Sequence, residues 1–129
     1  MAKSILYRTT ASIQEQIVAN GTYYMDSDVG HPFTSNSRAS ELVLGGDRVD
    51  YVASAVTNTS TVISIGTGKD FLFVKCISGP DVTISLDGSN YNFIITENEA
   101  FVSEIDSSAN IKFRGSSSSD SKVQYFTGT

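Results

Sequence analysis

The chain has very few of the residues that build catalytic and metal centres. Its 129 residues include one cysteine, one histidine, two prolines and no tryptophan. A single cysteine excludes an internal disulfide and a cysteine-based metal site. One cysteine and one histidine are also too few for a zinc site. We therefore expect no metal and no cofactor, and we interpret Cys76, which lies in an apolar run, as a buried small hydrophobic residue.

The remaining reactive groups do not match a known catalytic arrangement. His31 stands before Pro32 in a predicted loop, and no Gly-x-Ser-x-Gly motif is present to supply a nucleophile for it. The sequence Asp26-Ser27-Asp28-Val29-Gly30 lacks the spacing of a calcium loop. Glu97, Glu99 and Glu104 fall in turns or on polar strand positions, so we interpret them as solvated acids. We expect that the protein is not an enzyme.

Basic charge is scarce as well. Nine Lys and Arg residues stand against fourteen Asp and Glu, which gives a net charge of −5. The nine are scattered, whereas nucleic-acid binding needs clustered cations. The N-terminus has no extended apolar region of the kind that forms a signal peptide or a membrane span. We therefore expect no nucleic-acid partner, no membrane association and synthesis in a cytoplasm.

Alternating apolar residues dominate the rest of the sequence. In the range 81–95, Val82, Ile84 and Leu86 precede Asp87-Gly88, and the alternation then resumes. Alternation on both sides of an Asp-Gly turn predicts a β-hairpin, with Asp87 and Gly88 in its turn. Because Gly88 allows the turn to close, we expect Gly88→Val to destabilise the fold and Asp87→Asn to leave it nearly unchanged.

The C-terminal part repeats this pattern. About seven short strands follow residue 61, separated by Gly-, Ser- and Asn-rich turns, and no helical period appears. The run 71–77 is almost continuously apolar and predicts a central strand that is covered on both faces. This spacing is typical of an all-β, antiparallel β-sandwich or jelly roll. We assign it to a domain spanning residues 57–129.

Residues 1–56 form the second predicted domain, an N-terminal arm followed by a hairpin at 39–56. Two readings of the arm stay open: a strand at Ile5–Thr9, or one or two helical turns around Ile13 and Ile17. An extended arm of this kind orders against a partner. The candidate assembly contacts are its larger apolar and aromatic residues: Ile5, Tyr7, Ile13, Ile17, Tyr23 and Tyr24.

The stretch from Val62 to Phe126 resembles the small all-β virion proteins of tailed bacteriophages, namely head-decoration, head-fibre and tail-associated subunits. Three segments carry the resemblance: Asp-Val-Thr-Ile-Ser-Leu-Asp-Gly-Ser-Asn-Tyr, Ile-Ile-Thr-Glu-Asn-Glu-Ala-Phe-Val, and Ile-Lys-Phe-Arg-Gly with the Ser-rich turn and Val-Gln-Tyr-Phe after it. The resemblance implies a non-enzymatic virion protein that binds major capsid or tail proteins. It also implies a homo-oligomer, with a trimer favoured, located in the virion.

A carbohydrate- or receptor-binding β-sandwich, similar to an adhesin, is the alternative. Sugar sites usually need exposed aromatic side chains, and most aromatic residues here alternate toward the predicted interior. Tyr23, Tyr24 and Tyr91 are the exceptions.

Overall fold

The computed structural model describes residues 4–11, 16–19, 22–25, 36–43 and 49–129. Within these ranges the chain forms twelve β-strands and no helix. The all-β prediction is confirmed. The strands are β1 (Ser4–Ala11), β2 (Gln16–Ala19), β3 (Thr22–Met25), β4 (Asn36–Val43), β5 (Val49–Thr57), β6 (Ile63–Gly66), β7 (Phe71–Ser78), β8 (Val82–Ser85), β9 (Phe93–Ile95), β10 (Ala100–Glu104), β11 (Ile111–Gly115) and β12 (Ser121–Gly128).

The chain divides into two compact units, of which the smaller is Ile5–Glu41. In this part of the chain β1 pairs with β4, and β2 pairs with β3 in an antiparallel ladder that sets Ile17 opposite Tyr24. Ile17 therefore lies in a strand, and the helical alternative is wrong at that position. Ile13 and His31 lie outside the described residues, as do Asp26 and Asp28.

The larger unit, Met1–Ser4 with Leu42–Thr129, contains two four-stranded antiparallel sheets that pack against each other. Their strand orders are β10-β7-β12-β5 and β6-β11-β8-β9. Among these eight strands the first pairs with the last, the second with the seventh, the third with the sixth, and the fourth with the fifth. This nested pairing is the jelly-roll form of the β-sandwich, and the predicted fold class is confirmed.

The core lies between the two sheets, and its residues from β8, β11 and β12 follow the predicted alternation. Its fully buried members are inward-facing residues of β7, β8, β11 and β12, with Ile95 of β9 nearly so: Leu72, Val74, Cys76, Val82, Ile84, Ile111, Phe113 and Val123. Cys76 is fully buried, and burial raises the pKa of its thiol. Its interpretation as a small hydrophobic core residue is confirmed.

The hairpin predicted at 81–95 is present as β8 and β9. Val82 pairs with Ile95 and Ile84 pairs with Phe93, which places both β8 residues toward the core. The connecting loop spans residues 86–92, so it is longer than the two-residue turn of a tight hairpin.

The boundary predicted between residues 56 and 57 is wrong. β5 is an edge strand of the jelly roll, paired with β12 along its length, and Ala55 packs against the core. The predicted hairpin partner β4 pairs with β1 instead. The physical reason is that pairing with β12 gives β5 backbone hydrogen bonds along its whole length and brings Ala55 against the core. No sequence-local turn signal reports such a long-range partner.

The described residues contain no helix that is long and apolar enough to cross a membrane.

Candidate interaction surface

The outer face of the β10-β7-β12-β5 sheet carries apolar side chains in one line. Val102 of β10 is opposite Phe73 of β7, Phe73 is opposite Phe126 of β12, and Phe126 is opposite Tyr51 of β5. Residues directly opposite each other in antiparallel strands lie on the same face. The four side chains therefore form a continuous line, called the apolar row below, which crosses all four strands over about 14 Å.

The apolar row lies on the side of the sheet away from the core. Its neighbours along β7, Leu72 and Val74, are the residues that face inward. Tyr51 is 75% exposed, and Val102, Phe73 and Phe126 are half-buried. A sheet face that meets water usually carries polar residues. A contiguous apolar strip in that position is typical of an interaction surface.

Two further apolar residues lie on this sheet. The ring of Phe71, which is buried, meets the ring of Phe126 edge-on with 6.0 Å between the centroids, so it supports Phe126 without adding exposed area. Farther along β5, Val56 is 44% exposed. The strand has a β-bulge, because two residues separate Val52 from Ala55 while one residue separates their partners on β12. The bulge changes the alternation, so Tyr51 and Val56 are both exposed despite an odd spacing.

The outer face of the β6-β11-β8-β9 sheet is different. The guanidinium of Arg114 lies over the ring of Tyr91, 4.2 Å from its centroid. Across the strands, Arg114 is opposite Thr83 and Thr83 is opposite Ile94. In the next line Lys112 is opposite Ser64 on one side and Ser85 on the other. We call this surface, made of Tyr91, Arg114, Lys112, Thr83 and Ser64, the Arg114 face.

No acidic residue occurs in any of the four strands beneath the Arg114 face. Lys112 and Arg114 form no ion pair with a described residue. The described ion pair joins Asp50 of β5 to Lys69 in the turn after β6 at 3.0 Å and involves neither Lys112 nor Arg114. The Arg114 face therefore carries two cations, and the Asp87 carboxylate lies beside one of them through its hydrogen bond to Ser85, opposite Lys112.

The predicted turn residues Asp87 and Gly88 lie at the start of the β8–β9 loop. The Asp87 carboxylate accepts hydrogen bonds from the backbone N–H groups of Asn90 (2.7 Å) and Ser89 (2.8 Å), from the Asn90 side-chain amide and from the Ser85 hydroxyl. These bonds, with the backbone N–H of Asn90 first, hold the pKa of Asp87 well below its usual range. The geometry argues against our expectation for Asp87→Asn, because the carboxylate itself closes the loop.

Gly88 is required for two reasons. Its φ of +82° is a left-handed conformation that side-chain-bearing residues rarely adopt. A Cβ at this position would also clash with the side-chain amide of Asn110, whose backbone N–H donates to the Leu86 carbonyl oxygen at 2.8 Å. The role assigned to Gly88 in closing the turn therefore has a clear structural basis.

The other acids singled out in the sequence are exposed: Glu97 and Glu99 in the β9–β10 turn, and Glu104 at the end of β10. The Thr96 hydroxyl donates to Glu99 at 2.6 Å, a bond within the turn. Hydrogen bonds from Ser108 lower the pKa of Asp106 in the next loop, again within the turn. The described residues contain no group of three or more acids, histidines or cysteines placed to hold a metal ion.

The candidate assembly contacts of the N-terminal region divide into two sets. Ile5 is 9% exposed and Tyr7 is half-buried, whereas Leu6 between them is 77% exposed. Leu6, which the sequence analysis passed over, is therefore the β1 side chain best placed to meet a partner. Ile17, Tyr23 and Tyr24 lie in the paired strands β2 and β3. Their side chains and all of Ile13 lie outside the described part of the structure.

Sequence reasoning missed both outer faces. Tyr51, Phe73, Val102 and Phe126 come from four strands, and only the ladder registers bring them together. The available signal was the unusual apolarity of β7, where the outward positions include Phe73 and Ile77. Tyr91 was singled out as an exposed aromatic residue, but it is half-buried with Arg114 over its ring.

No protein-family model, curated protein or solved structure matches this chain.

Proposed function

We propose that this chain is a non-enzymatic structural protein of a tailed-bacteriophage particle, a capsid decoration or cement protein or another head- or tail-associated subunit. The apolar row on the outside of the jelly roll is the observation that carries the proposal. It supports a protein that works by binding other subunits through a sheet face. The jelly roll also agrees with this role, since viral capsid subunits commonly use it.

The apolar row has the composition of an interface core. Aromatic residues are enriched in such cores and charged residues are depleted. Burying a fully exposed aromatic side chain removes about 150–250 Å² from water, worth roughly 25 cal/mol per Å², but Phe73 and Phe126 are already partly buried and gain less. Exposed Tyr51 has the most surface left to bury, so it is the strongest candidate for an energetic hot spot.

The partners are other copies of this chain and the major capsid or tail protein. The resemblance to decoration proteins favours a trimer. The subunit is made in the host cytoplasm and carried in the virion. The apolar row supplies the contact between copies, and Leu6 with the N-terminal strands supplies the contact with the particle.

Light scattering on the purified chain tests the contact between copies. The wild-type protein should have three times the mass of one chain, and Tyr51→Glu should weaken association about 30-fold or more, since hot-spot losses reach 2 kcal/mol. Ser64→Glu is the matched control, because it adds the same charge at an exposed strand position of the other sheet. A monomeric wild-type protein, or equal losses in both variants, would contradict the role of the apolar row.

Particle association tests the function itself. Phage particles purified by density gradient from cells that express the tagged chain should contain it in a fixed ratio to the major capsid or tail protein. A version starting at residue 39, which lacks Leu6, should keep its β signal in far-UV circular dichroism and lose particle attachment. If the full chain stays in the soluble fraction while particles form normally, the proposed function is wrong.

A carbohydrate- or receptor-binding module is the second candidate, and the exposure of Tyr51 favours it. A ring that is 75% exposed at the edge of a sheet can stack on a sugar. Tyr91 is less suited to this role because Arg114 covers its ring. Binding of neutral glycans that is lost in Tyr51→Ala, without any change in oligomeric state, would favour this candidate.

A further inference from the structure

We propose that the Arg114 face is a binding site for an acidic sugar, in which the Arg114 guanidinium recognises the sugar carboxylate. The inference does not rest on the proposed function, since it concerns a ligand of the isolated chain. It also concerns the sheet opposite the one that carries the apolar row.

Arg114 is prepared to bind a carboxylate. Its guanidinium lies over Tyr91 with 4.2 Å to the ring centroid, so the aromatic ring holds it through its flat side. The five N–H donors of a guanidinium point outward in its plane. They are not used by any ion pair or hydrogen bond with a described residue. A carboxylate accepts two of these donors at once, which is the preferred geometry of an Arg–carboxylate pair.

Lys112 adds a second positive charge beside Arg114. The two residues are separated by one position on β11, which places them on the same side of the strand about 7 Å apart. The strands β6, β8, β9 and β11 contain no acid, but the Asp87 carboxylate in the β8–β9 loop is bonded to Ser85, the residue opposite Lys112. Asp87 offsets part of the charge of Lys112, so the charge-assisted hydrogen bonds to a ligand carboxylate come from Arg114.

The neighbouring side chains suit a sugar better than a protein. Exposed Ser64 lies opposite Lys112, and half-buried Thr83 lies opposite Arg114 with its hydroxyl donating to the Arg114 carbonyl oxygen at 2.9 Å. The apolar residue in this register line is Ile94, which is 58% exposed. A stable protein interface needs a broader apolar core than this. A polar ligand with one carboxylate and several hydroxyl groups matches the surface.

Titration of the purified full-length chain with methyl β-glucuronide tests the site, with methyl β-glucoside as the neutral counterpart. Binding is followed by the amide and Arg Nε–H resonances in heteronuclear NMR at low and at high salt. The glucuronide should bind in the millimolar range and shift resonances of β11 and Tyr91. Its affinity should fall with salt, and the glucoside should bind at least tenfold more weakly.

Variants assign the roles of the residues. Arg114→Gln should weaken glucuronide binding about tenfold or more, because it removes charge-assisted hydrogen bonds. Tyr91→Ala should weaken binding about threefold and Tyr91→Phe should restore it, as expected for a positioning residue whose ring is what matters. Lys75→Gln is the matched control, since it removes one positive charge from a strand of the other sheet and should leave the affinity unchanged. Far-UV circular dichroism checks that each variant is folded.

Four results would overturn the inference. They are equal binding of the glucoside, equal shifts with sodium acetate at the same ionic strength, no loss in Arg114→Gln, and binding of a triglutamate peptide as tight as that of the glucuronide. The last result would assign the face to an acidic protein partner. None of the four bears on particle attachment, so the failure of this inference and of the proposed function can be told apart.

Discussion

The two outer faces of the jelly roll share one core and differ in almost every other respect. One face presents Val102, Phe73, Phe126 and Tyr51 in a line across four strands. The other presents Arg114 on Tyr91, with Lys112 and hydroxyl groups beside them. The sandwich itself requires only that each sheet be apolar on its inner side. The outer faces are therefore free to vary, and their difference separates a surface suited to subunit contacts from one suited to a small polar ligand.

A cavity in the core that both sheets share should lower the free energy of unfolding more than the other changes considered below. Phe113 is fully buried on β11, and its ring packs against Tyr125 of the opposite sheet with 5.6 Å between centroids. Phe113→Ala should lower the free energy of unfolding by about 3–5 kcal/mol, because it removes a large buried side chain and leaves a cavity. Urea unfolding followed by circular dichroism measures the loss.

Phe113→Leu is the control, since it keeps much of the apolar volume and should cost clearly less. Self-association and sugar binding should both weaken in Phe113→Ala and recover in Phe113→Leu. Loss of one property alone in Phe113→Ala would show that the two faces do not depend on a common core.

Gly88→Val should have an intermediate effect that falls mainly on the Arg114 face. The substitution forces a β-branched residue into a φ of +82° and against the Asn110 side chain. We expect a loss of about 2–4 kcal/mol in the free energy of unfolding. The loop that follows leads into Tyr91, so sugar binding should suffer more than self-association.

Gly66 offers a matched control for Gly88. Its φ is +86°, but a Cβ there would meet no atom within 4 Å. Gly66→Val therefore carries the backbone strain without the clash and should cost less, about 1–3 kcal/mol. Equal losses in the two variants would mean that the Asn110 contact does not contribute.

Asp87→Asn should have the smallest effect, and it should depend on pH. Hydrogen bonds in the loop hold the pKa of Asp87 below its value of about 3.9 in an unfolded chain. A lowered pKa stabilises the folded state fully above pH 3.9, and this contribution is lost as the pH falls toward the folded value. The urea midpoint of Asp87→Asn should therefore lie below that of the wild type at pH 7, and the gap should narrow below about pH 4. A gap that stays constant from pH 7 to pH 2.5 would exclude the carboxylate charge as the cause.

Much of the fold could be predicted because it is locally encoded. Val82, Ile84 and Phe113 alternate with polar residues, and all three are buried in the sheet that the alternation predicted. The β8–β9 hairpin was found because both strands lie next to their turn. The partner of β5 was missed because β12 lies more than sixty residues away along the chain. The Gly45-Gly46 signal pointed to the sequence neighbour instead.

By itself, the sequence determined the all-β class, the inner-face residues of β8, β11 and β12, and the requirement for glycine at position 88. These follow from side-chain alternation and from backbone sterics, both of which act over a few residues. Only the tertiary structure decided that Tyr51 joins Phe126 in the apolar row and that Arg114 lies on Tyr91. Such pairings depend on strand register and on a bulge, which long-range hydrogen bonding and core packing fix together. The candidate sites of this protein therefore depend on strand register, whereas its fold class follows from the alternation of side chains in the sequence.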